Sequence, residues 1–233
     1  MTTRIALAVI GTHGDVQPFV ALARALKKRG YSVVLASSGD FEPFVTEHGI
    51  EFFSLGGDVQ AFLRRSQFDN VMSRNALLYA PGLLRDGQKI LREAARRAWE
   101  MAQNADAIVF QNATPFCNDI ADALGIPAIL TVFQPISPTT EFPYFEYGLD
   151  PVDPLMYRFS REPFAKSPRF DPVINKLSYV VQRAQQTYWD LPRERLRRSI
   201  GLKPRKKGNL YTNSRCERLT VLHAYSASIS PKA

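Results

Sequence analysis

Cysteine and histidine are scarce in this chain, and that scarcity removes several chemistries at once. Cys117 and Cys216 are its only cysteines, so no disulfide framework holds the fold, and a reducing cytoplasm is the simplest compartment. His13, His48 and His223 are scattered and stand at no metal-ligand spacing from those two thiols, so no metal site is expected. Long apolar runs are missing too: nothing approaches the roughly 20 residues that a membrane span needs. The N-terminal apolar stretch is short and meets His13 and Asp15 without a small-residue cleavage site, which reads as a strand rather than a signal peptide. No G-x-G-x-x-G fingerprint, no Gly-Lys-Ser/Thr phosphate loop and no G-x-S-x-G elbow occurs. Dinucleotide binding, P-loop chemistry and a serine hydrolase all lose their usual support.

What remains is an α/β pattern. With 45% hydrophobic residues over 233 positions, the chain can bury a substantial core. Ile5 to Ile10 is an unbroken apolar run, as expected of a strand covered on both faces. Phe19, Leu22, Ala23 and Leu26 repeat at helical spacing, and Gly30 supplies a stop. Tyr31 to Ala36 and Ile50 to Leu55 read as the next strands, with a short helix carrying Phe44 and Val45 between them. A long helix follows with Leu84, Leu91, Ala94, Ala98 and Met101 on one side; Arg85, Lys89, Arg92 and Arg96 form a solvated stripe on another. Ala107 to Phe110 and Pro127 to Phe133 are strands around a helix that starts at Thr114-Pro115 and ends at Leu124-Gly125. A further helix carries Val173 to Tyr188, Pro192 kinks it or opens a short one ending at Gly201, and Leu219 to Tyr225 is the last strand. This alternation predicts a Rossmann-like parallel sheet with helices on both faces.

Two stretches depart from that rhythm. From Gln134 to Pro172, eight prolines are interleaved with Phe142, Tyr144, Phe145, Tyr147, Tyr157, Phe159, Phe164 and Phe170. So long a loop is usually functional, and its aromatics suit an apolar cleft wall or, alternatively, ordinary core at a sheet edge. From Arg193 to Arg218, ten Lys or Arg stand against two Glu, a local balance of +8. That field suits an anionic membrane surface or an acidic partner, and equally a solvated loop. Its charges are not interleaved with aromatics and no recognition motif accompanies them, which argues against nucleic acid.

The chemistry-bearing segment is Gly11-Thr12-His13-Gly14-Asp15-Val16-Gln17-Pro18, between the first strand and the first helix. Loops at that point in α/β sheets hold ligands. A carboxylate there would repel a phosphate seated on the helix N-terminus, and favours a hydroxyl instead. Asp15 reads either as a general base taking a proton from an attacking alcohol or as a helix cap. His13 could orient Asp15, bind substrate or face solvent. His48 suits a helix C-terminus, and His223 belongs to core or edge of the last strand.

The block Gly11 to Phe19 resembles the opening motif of the glycosyltransferase family 28 N-terminal domain, in particular that of sterol glucosyltransferases. Gln111-Asn112-Ala113, Phe133-Gln134-Pro135, Glu141-Phe142-Pro143 and Val221-Leu222-His223-Ala224-Tyr225-Ser226 extend the resemblance over most of the chain. It implies the N-terminal half of a GT-B fold: an acceptor-binding domain over residues 1–225, a linker beginning at 226–233, and a C-terminal donor-binding domain that is absent. It further implies an inverting, UDP-sugar-dependent transfer to a sterol, lipid or other apolar alcohol, with Asp15 as catalytic base. Acceptor contacts would come from Thr12, His13, Gly14, Gln111, Asn112, Phe133, Gln134 and Phe142. Gln111 stands about where related enzymes place the partner of a catalytic histidine, which argues against an Asp–His dyad. No cofactor is expected on this chain; the UDP-sugar would sit on the missing domain. Expected partners are the acceptor, that donor domain, and an anionic membrane through Arg193–Arg218, with no nucleic acid. Location is expected to be cytoplasmic or peripheral to a membrane. The alternative is a non-catalytic module that binds an apolar ligand or a partner.

Overall fold

The computed structural model describes residues 2–57, 61–62, 76–133, 180, 191–204 and 219–225. Six strands form one sheet: β1 Arg4–Ala8, β2 Ser32–Ser37, β3 Glu51–Ser54, β4 Ala107–Gln111, β5 Ala128–Val132 and β6 Thr220–His223. Their order is β3-β2-β1-β4-β5-β6, and every pairing is parallel. The order reverses direction between β1 and β4, and a crevice opens at such a point beyond the carboxyl ends of the strands.

Alternation along the strands sorts the core into two layers. Leu7, Val9, Val33, Leu35 and Val109 face helix α1 (His13–Lys28), which buries Val16, Phe19, Val20 and Ala23 against them. The short α2 (Glu42–Thr46) adds Val45 to this side. Ala6, Ala8, Val34, Ala36, Ile108, Phe110 and Leu130 face the other way. There they meet Ala94, Ala98 and Met101 of α3 (Ala76–Ala102), Phe116, Cys117 and Ile120 of α4 (Phe116–Leu124), and Leu196 of α5 (Leu191–Ser199). Each large apolar side chain buried this way contributes about 1.5–3 kcal/mol. The two-sided cover explains why β1, β2 and β4 read as nearly continuous apolar runs. The predicted Rossmann-like architecture is therefore the observed one.

Boundaries moved in one instructive place. The loop expected over Gly11 to Asp15 turns helical at His13. Thr12 is extended and serves as the N-cap, and Asp15, three residues on, bonds back to it. Pro18 lies inside the helix, where it cannot donate to the carbonyl of Gly14. That carbonyl belongs to an exposed residue, so water can take the bond and the helix tolerates the proline.

A second correction concerns the basic segment. Arg193 and Arg197, counted among its exposed cations, are only 1% and 2% exposed. Both bind Asp119 of α4: Arg193 Nε to Oδ2 and Arg197 Nη1 to Oδ1, each at 2.7 Å. Arg197 also donates to the carbonyl of Lys203. These two guanidiniums bolt α5 onto α4 and face no membrane. Residues 205–218 lie outside the described residues, as do the helix expected over Val173 to Tyr188 (Val180 apart) and the linker at 226–233. No helix among the described residues is long and apolar enough to cross a membrane.

Candidate functional site

The site begins with Gly11. A Cβ built there would lie 2.2 Å from Asp15 Oδ2, so only glycine lets the carboxylate fold back over the end of β1. Folded back, Asp15 is held from two directions. Oδ2 accepts the backbone N–H of Thr12 at 2.7 Å and the Thr12 hydroxyl at 3.1 Å. Oδ1 accepts Nε2 of Gln111 at 2.7 Å, across 96 residues of sequence. Half-buried, the carboxylate closes the capping arrangement of α1 and also faces outward at the strand ends. Cap and candidate base are thus one geometry.

Gln111 ends β4 and is 6% exposed. Its backbone N–H donates to the Thr114 hydroxyl at 3.2 Å. That hydroxyl lies 3.0 Å from the carbonyls of both Ala8 and Gln111, so its one proton ties the end of β4 either to β1 or to itself. Thr114 is fully buried and makes the switch point rigid. The strand-end row on the α1 side continues with Thr131 of β5, the register partner of Gln111. Ser37 and Ser38 close β2. Among the described residues, Ser37 Oγ, Ser38 Oγ, Gln111 Oε1 and Thr131 Oγ1 are buried without a hydrogen-bond partner. Native proteins rarely leave such groups unmet by protein or by ordered water.

His13 turns away from Asp15. Its ring meets Phe41 and Phe44 edge-on at centroid distances of 5.1 and 4.9 Å, and Phe44 meets His48 at 5.1 Å. Of the roles open to His13, orienting the carboxylate is not the one observed; that work falls to Thr12 and Gln111. His13 instead forms an exposed aromatic wall beside the site. His48 Nδ1 contacts the Phe44 carbonyl at 2.8 Å at the end of α2, and His223, the last residue of the edge strand β6, pairs with Tyr225 just beyond it, as their positions suggested. Thr12 and Gly14 are exposed beside Asp15, and Asn112 is half-exposed in the turn after β4. Phe133 packs edge-on against Phe19 of α1, at 5.9 Å, and so borders the same end of the sheet. Gln134, Phe142 and the aromatic segment that follows lie outside the described residues. Cys117 is wholly buried, and burial pushes its thiol far above the ordinary range, so it takes no part in chemistry here. No group of three His, Cys, Asp or Glu suited to a metal ion occurs among the described residues.

Sequence reading missed Thr114, Thr131, Ser37 and Ser38. The signal was present: each is a polar residue at or just beyond the carboxyl end of a strand whose other residues are mostly apolar.

Comparison with known proteins agrees with this fold. The model of the glycosyltransferase family 28 N-terminal domain matches residues 5–135, which contain Asp15, Gln111, Thr114 and Thr131. A sterol 3-beta-glucosyltransferase of Arabidopsis thaliana is 33% identical over 153 residues, covering 60% of this chain and 24% of the relative. One from Debaryomyces hansenii is 30% identical over 138 residues, covering 59% and 9%. The matched region is thus a quarter or less of these curated relatives. The glycosyltransferase VinC, solved in complex with dTDP, superposes with a TM-score of 0.52 at 17% identity, covering 99% of this chain and 51% of VinC. The shared fold is therefore about half of a GT-B glycosyltransferase, and the chain belongs to glycosyltransferase family 28 through the N-terminal domain of that family.

Proposed function

We propose that this chain is the acceptor-binding part of an inverting UDP-sugar-dependent glycosyltransferase, that its acceptor is a sterol or other apolar alcohol, and that Asp15 is the general base. One observation carries the reading: of the two carboxylate oxygens, Oδ2 is occupied by both Thr12 donors, whereas Oδ1 carries only Gln111. A carboxylate oxygen has two lone pairs, so Oδ1 keeps one for an incoming hydroxyl. In the transfer step the acceptor oxygen gives its proton to Oδ1 and bonds the anomeric carbon, while the bond from that carbon to the UDP oxygen breaks. UDP leaves with the electron pair. The exposed ring of His13, the half-buried ring of Phe44 and the packed pair Phe19–Phe133 give the approach an apolar border suited to a lipidic body. The sterol specificity of the relatives supports the same acceptor class. The donor sugar would be held by a second domain of the family joined to this one.

The test uses this chain joined to a nucleotide-sugar-binding domain of the family, with labelled UDP-glucose and cholesterol. Asp15→Asn keeps the shape and the Thr12 contacts but removes the proton acceptor. Turnover is expected to fall by about 10²–10⁴-fold with cholesterol affinity nearly unchanged. Retained turnover would remove Asp15 from the mechanism. A second reading draws on the same contacts: the two Thr12 bonds to Asp15 also suit a helix cap, so the chain would be a ligand-binding module without transfer. That reading predicts cholesterol binding without transfer in the joined protein, whatever residue stands at 15.

A further inference from the structure

The bond between Gln111 and Asp15 settles which way the Gln111 amide faces. With Nε2 on the carboxylate, Oε1 points elsewhere, because the flipped amide would set oxygen against oxygen. Oε1 can only accept, and no described residue donates to it. Thr131, one strand over, is in register with Gln111, so both side chains leave the same face of the sheet with their strands about 4.8 Å apart. Thr131 is 3% exposed, and its hydroxyl is likewise without a partner among the described residues. Two neighbouring buried oxygens in this condition are costly singly. A single O–H group between them would satisfy both, donating to Oε1 and accepting from the Thr131 hydroxyl.

We propose that Gln111 and Thr131 form a hydroxyl-binding notch beside Asp15, and that through the bound hydroxyl Thr131 acts as a positioning residue for the Gln111 amide and hence for Asp15. The hydroxyl comes from a bound water or from a second hydroxyl of the acceptor. The reacting hydroxyl cannot supply it, since that proton goes to Asp15. The link to catalysis rests on Asp15 being the base; the notch itself does not.

A crystal structure of this chain, free and soaked with hexadecane-1,2-diol, separates the sources. An oxygen within roughly 2.6–3.2 Å of both Oε1 and Oγ1 in the free protein identifies water. The same contacts appearing only with the diol identify a ligand hydroxyl. Neither, in both crystals, overturns the notch. In solution, side-chain amide NMR of Gln111 reads the positioning role. Thr131→Val is expected to speed exchange of the Nε2 protons about tenfold, and Thr131→Ser to restore the slow rate. Unchanged exchange in Thr131→Val overturns that role, and should that variant misfold, exchange in Thr131→Ser that is as fast as for a free amide does so instead. Retained turnover in Asp15→Asn would refute the base while leaving these readouts intact, so the two ideas fail separately.

Discussion

The two edges of the same sheet are finished differently. At the amino ends of the strands, Arg4 gathers its neighbours: its N–H donates to Asp106 at 2.7 Å, its guanidinium to Ser32 at 3.2 Å and to Glu51 at 2.6 Å. The Glu51 hydrogen bond holds the Arg4 guanidinium more firmly protonated than usual. β1, β2, β3 and the residue before β4 are thereby laced together, with Arg4 Nε left over. At the carboxyl ends, four oxygens on β4, β5 and the end of β2 are buried and unmet among the described residues, and a half-buried carboxylate stands over the switch point. The first edge meets its polar groups with one another, Arg4 Nε apart; the second leaves four oxygens unmet among the described residues. We assign stability to the first and propose binding for the second.

Substitutions can break that contrast. The largest effect should come from neither edge. Asp119→Ala removes the carboxylate that the buried Arg193 and Arg197 share and should cost about 3–5 kcal/mol in denaturant unfolding, far more than any change at either strand end. Gly11→Ala comes next and should separate the edges. The added Cβ would stand at a backbone φ of +158° that side chains rarely adopt, and at 2.2 Å from Asp15 Oδ2 it would displace the carboxylate. Its Thr12 and Gln111 bonds should be lost, with about 1–2 kcal/mol of stability and a steep fall in transfer by the joined enzyme. Arg4→Ala should be smallest. Glu51 is half-exposed, so the pair contributes about 0.2–1 kcal/mol, visible in thermal unfolding and absent from cholesterol affinity. If Arg4→Ala weakened cholesterol binding more than Gly11→Ala, the division of labour between the edges would be wrong.

Much of this was legible in the residues. Strand and helix alternation gave the parallel sheet because two-sided burial leaves unbroken apolar runs, and the Gly11 to Pro18 segment marked the site because its carboxylate follows a strand. Long-range partners were not legible. Arg193 and Arg197 looked like solvated charge because Asp119 lies 74 and 78 positions away, and local patterning carries no trace of it. The start of α1 was misplaced because Gly14 and Pro18 signal a loop, whereas the Thr12–Asp15 return bond outweighs them. Asp15 was found, but the hand that holds it was not: His13 was nearest in sequence, and Gln111 is nearest in space only because β1 and β4 are neighbours.

The contrast between the edges can be measured in one titration of the isotopically labelled chain with cholesterol, following backbone and side-chain amide shifts. The predicted result is movement at Thr12, Asp15, Gln111 and Thr131, with Arg4, Ser32 and Glu51 silent. Movement confined to the Arg4 edge, or to the outer face of α3, would contradict it.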